Sequence, residues 1–406
     1  MNKQKPSQIL KTTFFSFLLI ALTSCTKKSD KEVSLGALIA MTGPIESMAP
    51  PILDSVRLAE KEVNDNGGIL GGRKLKVTVG DSKCSAEGGA DAAKKLVNIN
   101  KVSGIVGALC SGASTAASSG VAIPAGVTMI SPASTAPTFT TLKDNDLFYR
   151  VIPSDAYQGV YLGKLVIKQG ITKVALTYVN NDYGVGLANS FKASFEKEGG
   201  KVVTESKHED KKASYRSELA TLAQGGAEAL VVIAYSDSSG QTIVRQALET
   251  KRFERFIGTD GMASEKLIKR IGIQGLKKSF FSRPVATKTS FSDAFDKNYG
   301  AFSKHKRKSI FIKEAYDAAM ILALAIQKGG SDDRASVKAN IRKVANAPGV
   351  EVGPGDWAKA VKLIAEGKEI NYQGAAGANE FDKNGDVAGV FGHFVVQMGD
   401  SFKQIK

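Results

Sequence analysis

The sequence predicts an α/β protein made of two doubly wound lobes, each a parallel sheet covered by helices. Two observations carry this reading. Apolar runs of strand length alternate with amphipathic runs of helix length, the pattern of parallel sheets buried on both faces. The 406-residue chain also holds more such units than one sheet accommodates. Val33–Ile39 reads as a buried strand, and Ile52–Val63 as a helix stopped by Asn64-Asp65-Asn66-Gly67-Gly68. Strands at Leu75–Val79, Ile105–Leu109 and Thr128–Ile130 alternate with helices at Ala86–Ile99 and Ala113–Ala122. A first break falls near Arg150–Ser154, before a new helix at Ala156. The rhythm resumes with strands at Lys173–Val179, Val202–Ser206 and Ala229–Ala234. Helices at Gly186–Glu198, Tyr215–Ala223 and Ser239–Glu249 accompany them. After a second break near Ser282–Ala286 the chain reads as mostly helical: Phe291–Tyr299, Ile312–Gln327 and Ser336–Val344.

Composition excludes wholesale disorder and a polytopic membrane protein, since 43% of residues are apolar and 23% charged. The net charge is +15, and its basic residues are spread along the chain. The one tight cluster, Lys304-His305-Lys306-Arg307-Lys308, reads as a solvated turn. No zinc-finger, RNP or helix-turn-helix signature supports nucleic-acid binding.

The N-terminus reads as an export address. Lys3, Lys5 and Lys11 precede an apolar run, Phe14–Leu22, that is too short to span a bilayer and fits a secretory h-region. The run ends in Leu22-Thr23-Ser24-Cys25, which resembles a bacterial lipobox. On this reading residues 1–24 are a lipoprotein signal peptide, Cys25 is lipidated, and residues 25–31 are a polar tether. An ordinary signal peptide with a chance cysteine is the bland alternative. In an oxidising compartment Cys84 and Cys110 form an even pair. They make either a disulfide or two buried thiols, and neither has metal-ligand spacing around it.

In open α/β sheets ligands bind at the carboxyl ends of strands. Those loops hold Cys110-Ser111-Gly112-Ala113-Ser114, Ser131-Pro132-Ala133-Ser134-Thr135, Asn180-Asn181-Asp182-Tyr183-Gly184, Tyr235-Ser236-Asp237-Ser238 and Thr259-Asp260-Gly261. The first two, on the first lobe, offer hydroxyl and N–H donors. The others, on the second lobe, offer aromatics and an acid. Together they suit a small zwitterion held between lobes.

These residues resemble the leucine/isoleucine/valine-type substrate-binding proteins of ABC importers, which are type I periplasmic binding proteins. The similarity runs from Met41-Thr42-Gly43-Pro44 and Asn66–Leu75, through Asp81–Cys84, Leu109–Ser111 and Met129–Thr135. It continues through Asp182–Gly186, Gly258–Gly261, Ala315–Ala318 and Phe381–Asp386. The resemblance implies a Venus-flytrap fold with three crossovers, the third near Ile370–Asn379. It places lobe 1 at 32–151 plus 285–372 and lobe 2 at 152–284 plus 373–406. It implies that Cys84 and Cys110 are bridged. Ser111, Ala133 and Thr135, with Ser134 in the same loop, would hold the ligand's carboxylate and part of its ammonium. Asp260 would face the ammonium, and Tyr183 and Tyr235 would close over the ligand. Met48 stands where the family often has an aromatic.

The function implied is an exported, membrane-anchored, monomeric binding protein. It would deliver an apolar or branched-chain amino acid to an ABC permease and ATPase. The alternative is a sensory or surface-interaction lipoprotein on the same fold, binding an amide, urea-like or aromatic acid ligand. No enzyme motif, cofactor or metal is expected. Asp382-Asn384-Asp386 reads as a turn, because Val387 and His393 stand where an EF-hand needs Gly and Glu. His208, His305 and His393 lack ligand spacing.

Overall fold

The computed structural model describes residues 1–2, 31–305 and 309–405. The signal segment, Cys25 and Lys306–Lys308 lie outside the described residues. No described helix is long and apolar enough to cross a membrane.

The first sheet is laid down by β1 (Glu32–Ile39), α1 (Ala49–Asp65), β2 (Lys74–Asp81), α2 (Ala86–Lys94), β3 (Gly104–Gly107), α3 (Ser111–Ala117), β4 (Thr128–Ser131) and β5 (Phe148–Arg150). Its order is β2-β1-β3-β4-β5, and every pair is parallel. Parallel strands need helical crossovers, which explains why every residue of β3 and β4 is buried, on both faces of the sheet.

The chain then passes through 151–154 to α4 (Asp155–Lys168). There follow β6 (Lys173–Val179), α5 (Asp182–Lys197), β7 (Lys201–His208), α6 (Arg216–Leu222), β8 (Ala229–Ile233), α7 (Ser239–Glu249) and β9 (Phe256–Gly258). Next come α8 (Glu265–Ile271), α9 (Ile273–Leu276) and β10 (Phe280–Val285). Ser154 starts α4 as an N-cap, accepting from the Ala156 N–H at 3.2 Å. Helices α4 and α5 approach closely because Gly159 faces α5. A Cβ there would lie 2.4 Å from the Cβ of Ser190.

A second passage, 286–289, returns the chain to helices packed around the first sheet. These are α10 (Ser290–Phe302), α11 (Ile312–Gly329), α12 (Arg334–Ala345) and α13 (Trp357–Ala365), with β11 (Val350–Val352) and β12 (Ile370–Tyr372) as a parallel pair. α11 is buried nearly all round between α1, α12 and the strands β3 and β4. Each large aliphatic side chain it buries is worth about 1.5–3 kcal/mol. Trp357 opens α13 fully buried, its indole N–H donating to the Gly68 carbonyl at 3.1 Å. A third passage, 373–389, leads to β13 (Val390–Gln397) and β14 (Ser401–Ile405). These add antiparallel to β10, completing the order β14-β13-β10-β9-β8-β6-β7.

Two parts of the expected layout need correction. The chain is not mostly helical after residue 286, because β11–β14 lie there. Ser282–Ala286 is also largely strand, since β10 continues to Val285. Both were hidden for one reason. These strands carry Ser, Arg, Pro, His and Gln, and several are short or half exposed, so they lack a continuous apolar run.

In each sheet the strand order reverses at one point. The chain moves from β1 outward to β2, then back across β1 to β3. It likewise moves from β6 to β7, then back to β8. Ligands bind at such switch points. The loops after β1, β3, β6 and β8 are therefore the ones to inspect.

Candidate ligand-binding cleft

Those loops converge. Met48 follows β1, Ser111 follows β3, Tyr183 follows β6 and Tyr235 follows β8. With Ala133, Asp260 and Gly261 they line one cavity, closed off by Ile45, Leu109, Cys110 and Phe311. Its lining includes the polar Ser111 and Asp260 and the apolar Ile45, Met48, Leu109 and Phe311. The cavity volume is about 20 Å³, room for roughly one water. Each of the predicted residues is at most 7% exposed.

The first-lobe half is a network of hydroxyls. Ser131 Oγ donates to the Ala108 carbonyl at 2.7 Å and accepts from the Ser134 N–H at 2.9 Å. Ser111 Oγ accepts from the Ala136 N–H at 3.2 Å, tying the loop after β3 to the loop after β4. Two residues of the predicted set do not line the cavity. Ser134 Oγ pairs with Ser114 Oγ at 2.7 Å. Thr135 Oγ1 donates to Asp155 Oδ2, also at 2.7 Å. Cys110 is joined to Cys84 by a disulfide with Cα atoms 5.3 Å apart, which fixes the start of α3 against the loop after β2.

The second-lobe half centres on Asp260. Tyr183 OH donates to Asp260 Oδ1 at 3.0 Å and lies 2.7 Å from Thr259 Oγ1. Gln158 Nε2 donates to the same Oδ1 at 3.1 Å and lies 3.1 Å from Ser282 Oγ. Gly261 is required here, because a Cβ would sit 2.6 Å from the Ala234 carbonyl. The rings of Tyr183 and Tyr235 stack at 5.5 Å, and Asn181 Nδ2 donates to Tyr235 OH at 3.2 Å. Burial pushes the Asp260 carboxyl up to about 6, against the pull of its Tyr183 and Gln158 donors. Asp155 is pushed up as well, by burial first and then by the charge of Asp260. Its Oδ1 has no hydrogen-bond partner among the described residues.

Contacts across the cleft hold the halves together. Ser47 N–H donates to Asp237 Oδ2 at 2.8 Å, and Asp237 N–H donates to the Pro44 carbonyl at 3.1 Å. Lys266 pairs with Glu46 at 3.0 Å. On the other flank Thr115 Oγ1 donates to Asp182 Oδ2 at 2.7 Å. The structure is thus a closed form, and a ligand larger than water requires the lobes or the side chains of Met48 and Phe311 to give way.

Asp155, Gln158, Ile45 and Phe311 were missed by reasoning from sequence. Asp155 and Gln158 are polar residues in the first turn of a helix that opens directly after an interlobe passage, and that placement was the available signal. Phe311 has no local signal. It reaches the cleft only because its backbone turns left-handed, φ +65°, ahead of α11. The run Asp382–Asp386 forms a tight turn, with Asp382 Oδ1 accepting from the N–H groups of Asn384 and Asp386.

Two lobes facing each other across the carboxyl ends of their strands, with a closed polar cavity between, define a ligand-capture protein of the type I periplasmic-binding class. The chain belongs to the family described as the receptor family ligand binding region, whose model matches residues 52–392. It is 25% identical over 347 residues to the leucine-, isoleucine-, valine-, threonine- and alanine-binding protein of Pseudomonas aeruginosa, covering 84% of this chain and 89% of that one. It is 24% identical over 392 residues to the chemotactic signal transduction system substrate-binding protein BasB of Halobacterium salinarum, covering 91% and 87%. Among solved structures, the leucine-binding protein LivK of Thermotoga maritima superposes with a TM-score of 0.78 at 23% identity, covering 92% and 98%. The similarity first visible in short motifs therefore extends over the chain.

Proposed function

We propose that this chain captures an α-amino acid, of branched-chain or other apolar type, between its lobes and delivers it to an ABC importer. One observation carries the reading. Asp260, an acid, faces the hydroxyl and N–H groups around Ser111 and Ala133 across a single cavity. An ammonium wants the first and a carboxylate wants the second. Tyr183 and Tyr235 would cover the ligand, and Ile45, Met48, Leu109 and Phe311 would surround its side chain. Ser134 and Thr135 would act through the loop that presents Ala133. The lobes would divide as 32–151 plus 285–372 and 152–284 plus 373–406, which agrees with the packing of α10–α13 around the first sheet.

Calorimetry tests the ligand class. Asp260→Ala leaves a desolvated ammonium without its counter-charge, a loss of about 2–5 kcal/mol. Affinity for leucine, isoleucine or valine should fall at least ~30-fold. Deaminated analogues and benzoate should be little affected. Equal affinity of the two proteins for the amino acids would overturn the reading.

The chain would be exported and held at the membrane by a lipid on Cys25, as a monomer. Mass spectrometry of the native N-terminus should find a diacylated Cys25. An unmodified terminus at another residue would refute the anchor. The similarity to BasB favours one second reading, a sensory role for the same ligand capture. Loss of labelled amino-acid uptake on gene deletion supports transport. Intact uptake with a lost behavioural response supports sensing.

A further inference from the structure

A second, larger space adjoins the cleft. It measures about 870 Å³ and shares two walls, Met48 and Phe311, with the amino-acid cavity. One side is built from α8 and β10, which contribute Lys269 and Arg283. The other is built from Lys304, His305 and residues 309–314, the last of which is Glu314 in the first turn of α11.

Its lining carries more cations than acids, with Glu265 and Glu314 against Lys266, Lys269, Arg283, Lys304 and Lys313. Lys266 and Lys313 also line it, but they already pair with Glu46 and Asp296. Arg283, Lys269 and Lys304 have no carboxylate within 4.0 Å among the described residues. The Arg283 guanidinium is set over the Phe394 ring, 3.9 Å from its centroid, so its place is fixed by packing and not by an acid. Burial lowers its pKa to about 10, the mark of a cation short of counter-charge. Glu314 offsets this only in part, because burial pushes its own carboxyl up to about 7. The cations also come from both sides of the cleft, so closure brings like charges toward each other.

We propose that this groove binds an anionic group, a carboxylate or a phosphate, between Arg283, Lys269 and Lys304. A guanidinium fixed over a ring presents a fork suited to either group. The anion bridges the two lobes and offsets their repulsion, so it favours the closed form. It has two sources: the far end of a cleft ligand that passes Met48 and Phe311, or a free anion beside that ligand. Only the first source rests on the amino-acid reading above.

Calorimetry on the full chain separates these. The probes are inorganic phosphate alone, leucine without phosphate, and 2-aminoadipate against norleucine. Arg283→Gln should weaken binding of phosphate or of 2-aminoadipate more than tenfold, and Lys269→Ala at least threefold. Leucine affinity should stay within twofold in both variants. A preference for 2-aminoadipate over norleucine that Arg283→Gln abolishes assigns the anion to the ligand's far end. Phosphate binding without that preference assigns it to a free anion. Phosphate binding that depends on Arg283, with no amino acid bound by the wild type, upholds the groove and removes the amino-acid reading. If neither phosphate nor 2-aminoadipate responds to either substitution, the proposal falls. Lys269 is exposed, so Lys269→Ala decides the matter even if Arg283→Gln does not fold.

Discussion

Asp260 sits where three effects compete. Burial favours its neutral form, whereas the Tyr183 hydroxyl and the Gln158 amide favour its charge, and burial wins to leave it at about 6. A protonated Asp260 attracts no ammonium. Amino-acid affinity should therefore be level above about pH 7 and fall as pH drops below 6, approaching tenfold per unit. Binding near pH 6 should release a proton, because the ligand's ammonium stabilises the carboxylate. Calorimetry in buffers of different ionisation enthalpy measures that release. Proton uptake on binding, or flat affinity from pH 5 to 8, would contradict the role given to this side chain. Asp155, close enough to feel the same charge, is also pushed upward, by burial first and then by Asp260.

Among elements, the end of β5 is bound to the third interlobe passage by a buried ion pair. Arg150 Nε donates to Asp386 Oδ1 at 2.6 Å and Nη2 to Oδ2 at 2.9 Å, while Nη1 donates to the Ala136 carbonyl. Arg150 is fully buried. Replacing it with Met leaves Asp386 the Thr140 hydroxyl but no counter-charge, and should cost about 3–5 kcal/mol. The double variant Arg150→Met with Asp386→Leu should recover much of that loss, as denaturant unfolding would show. A single variant within about 1 kcal/mol of wild type would mean that the pair contributes little. Sequence alone could not reveal this pairing, since its partners stand 236 positions apart. The same limit explains what was and was not legible in the cleft. Strands such as Lys173–Val179 and the helix Ser239–Glu249 were readable because apolar spacing is a local property. Ser111, Tyr183 and Asp260 were readable because loops after strands announce themselves. Ser134 and Thr135 turn their hydroxyls to Ser114 and Asp155, directions that the sequence does not show. β13 and β14, the antiparallel strands at one end of the second sheet, were lost because their apolar residues alternate weakly.

For the whole molecule, buried acids set the pH dependence of stability. Burial raises Glu314 to about 7, and Asp317 and Asp260 to about 6, above their values near 4 in an unfolded chain. The folded protein then binds more protons than the unfolded one between about pH 4 and 7, so stability falls as pH rises through that window. His208 opposes this. Burial lowers it to about 4, so it disfavours the folded state increasingly as pH falls below 6.5. Glu62 and Asp155 are raised as well and His393 is lowered, so the buried acids outnumber the histidines and the melting temperature should be higher at pH 5 than at pH 8. A higher value at pH 8 would show that other groups dominate.

Trp357 is the only tryptophan in the chain. Its ring is clasped between α13 and the turn at Gly68, and it lines neither the cleft nor the groove. Its emission should therefore stay silent when ligand is added and change only when the packing of α13 is lost. Ligand titrations need a different signal, such as a dye placed on the cleft rim at Lys266. In return, the indole gives an unfolding signal that does not itself report occupancy, so each of the stability variants above can be compared by a single optical readout at one fixed ligand concentration.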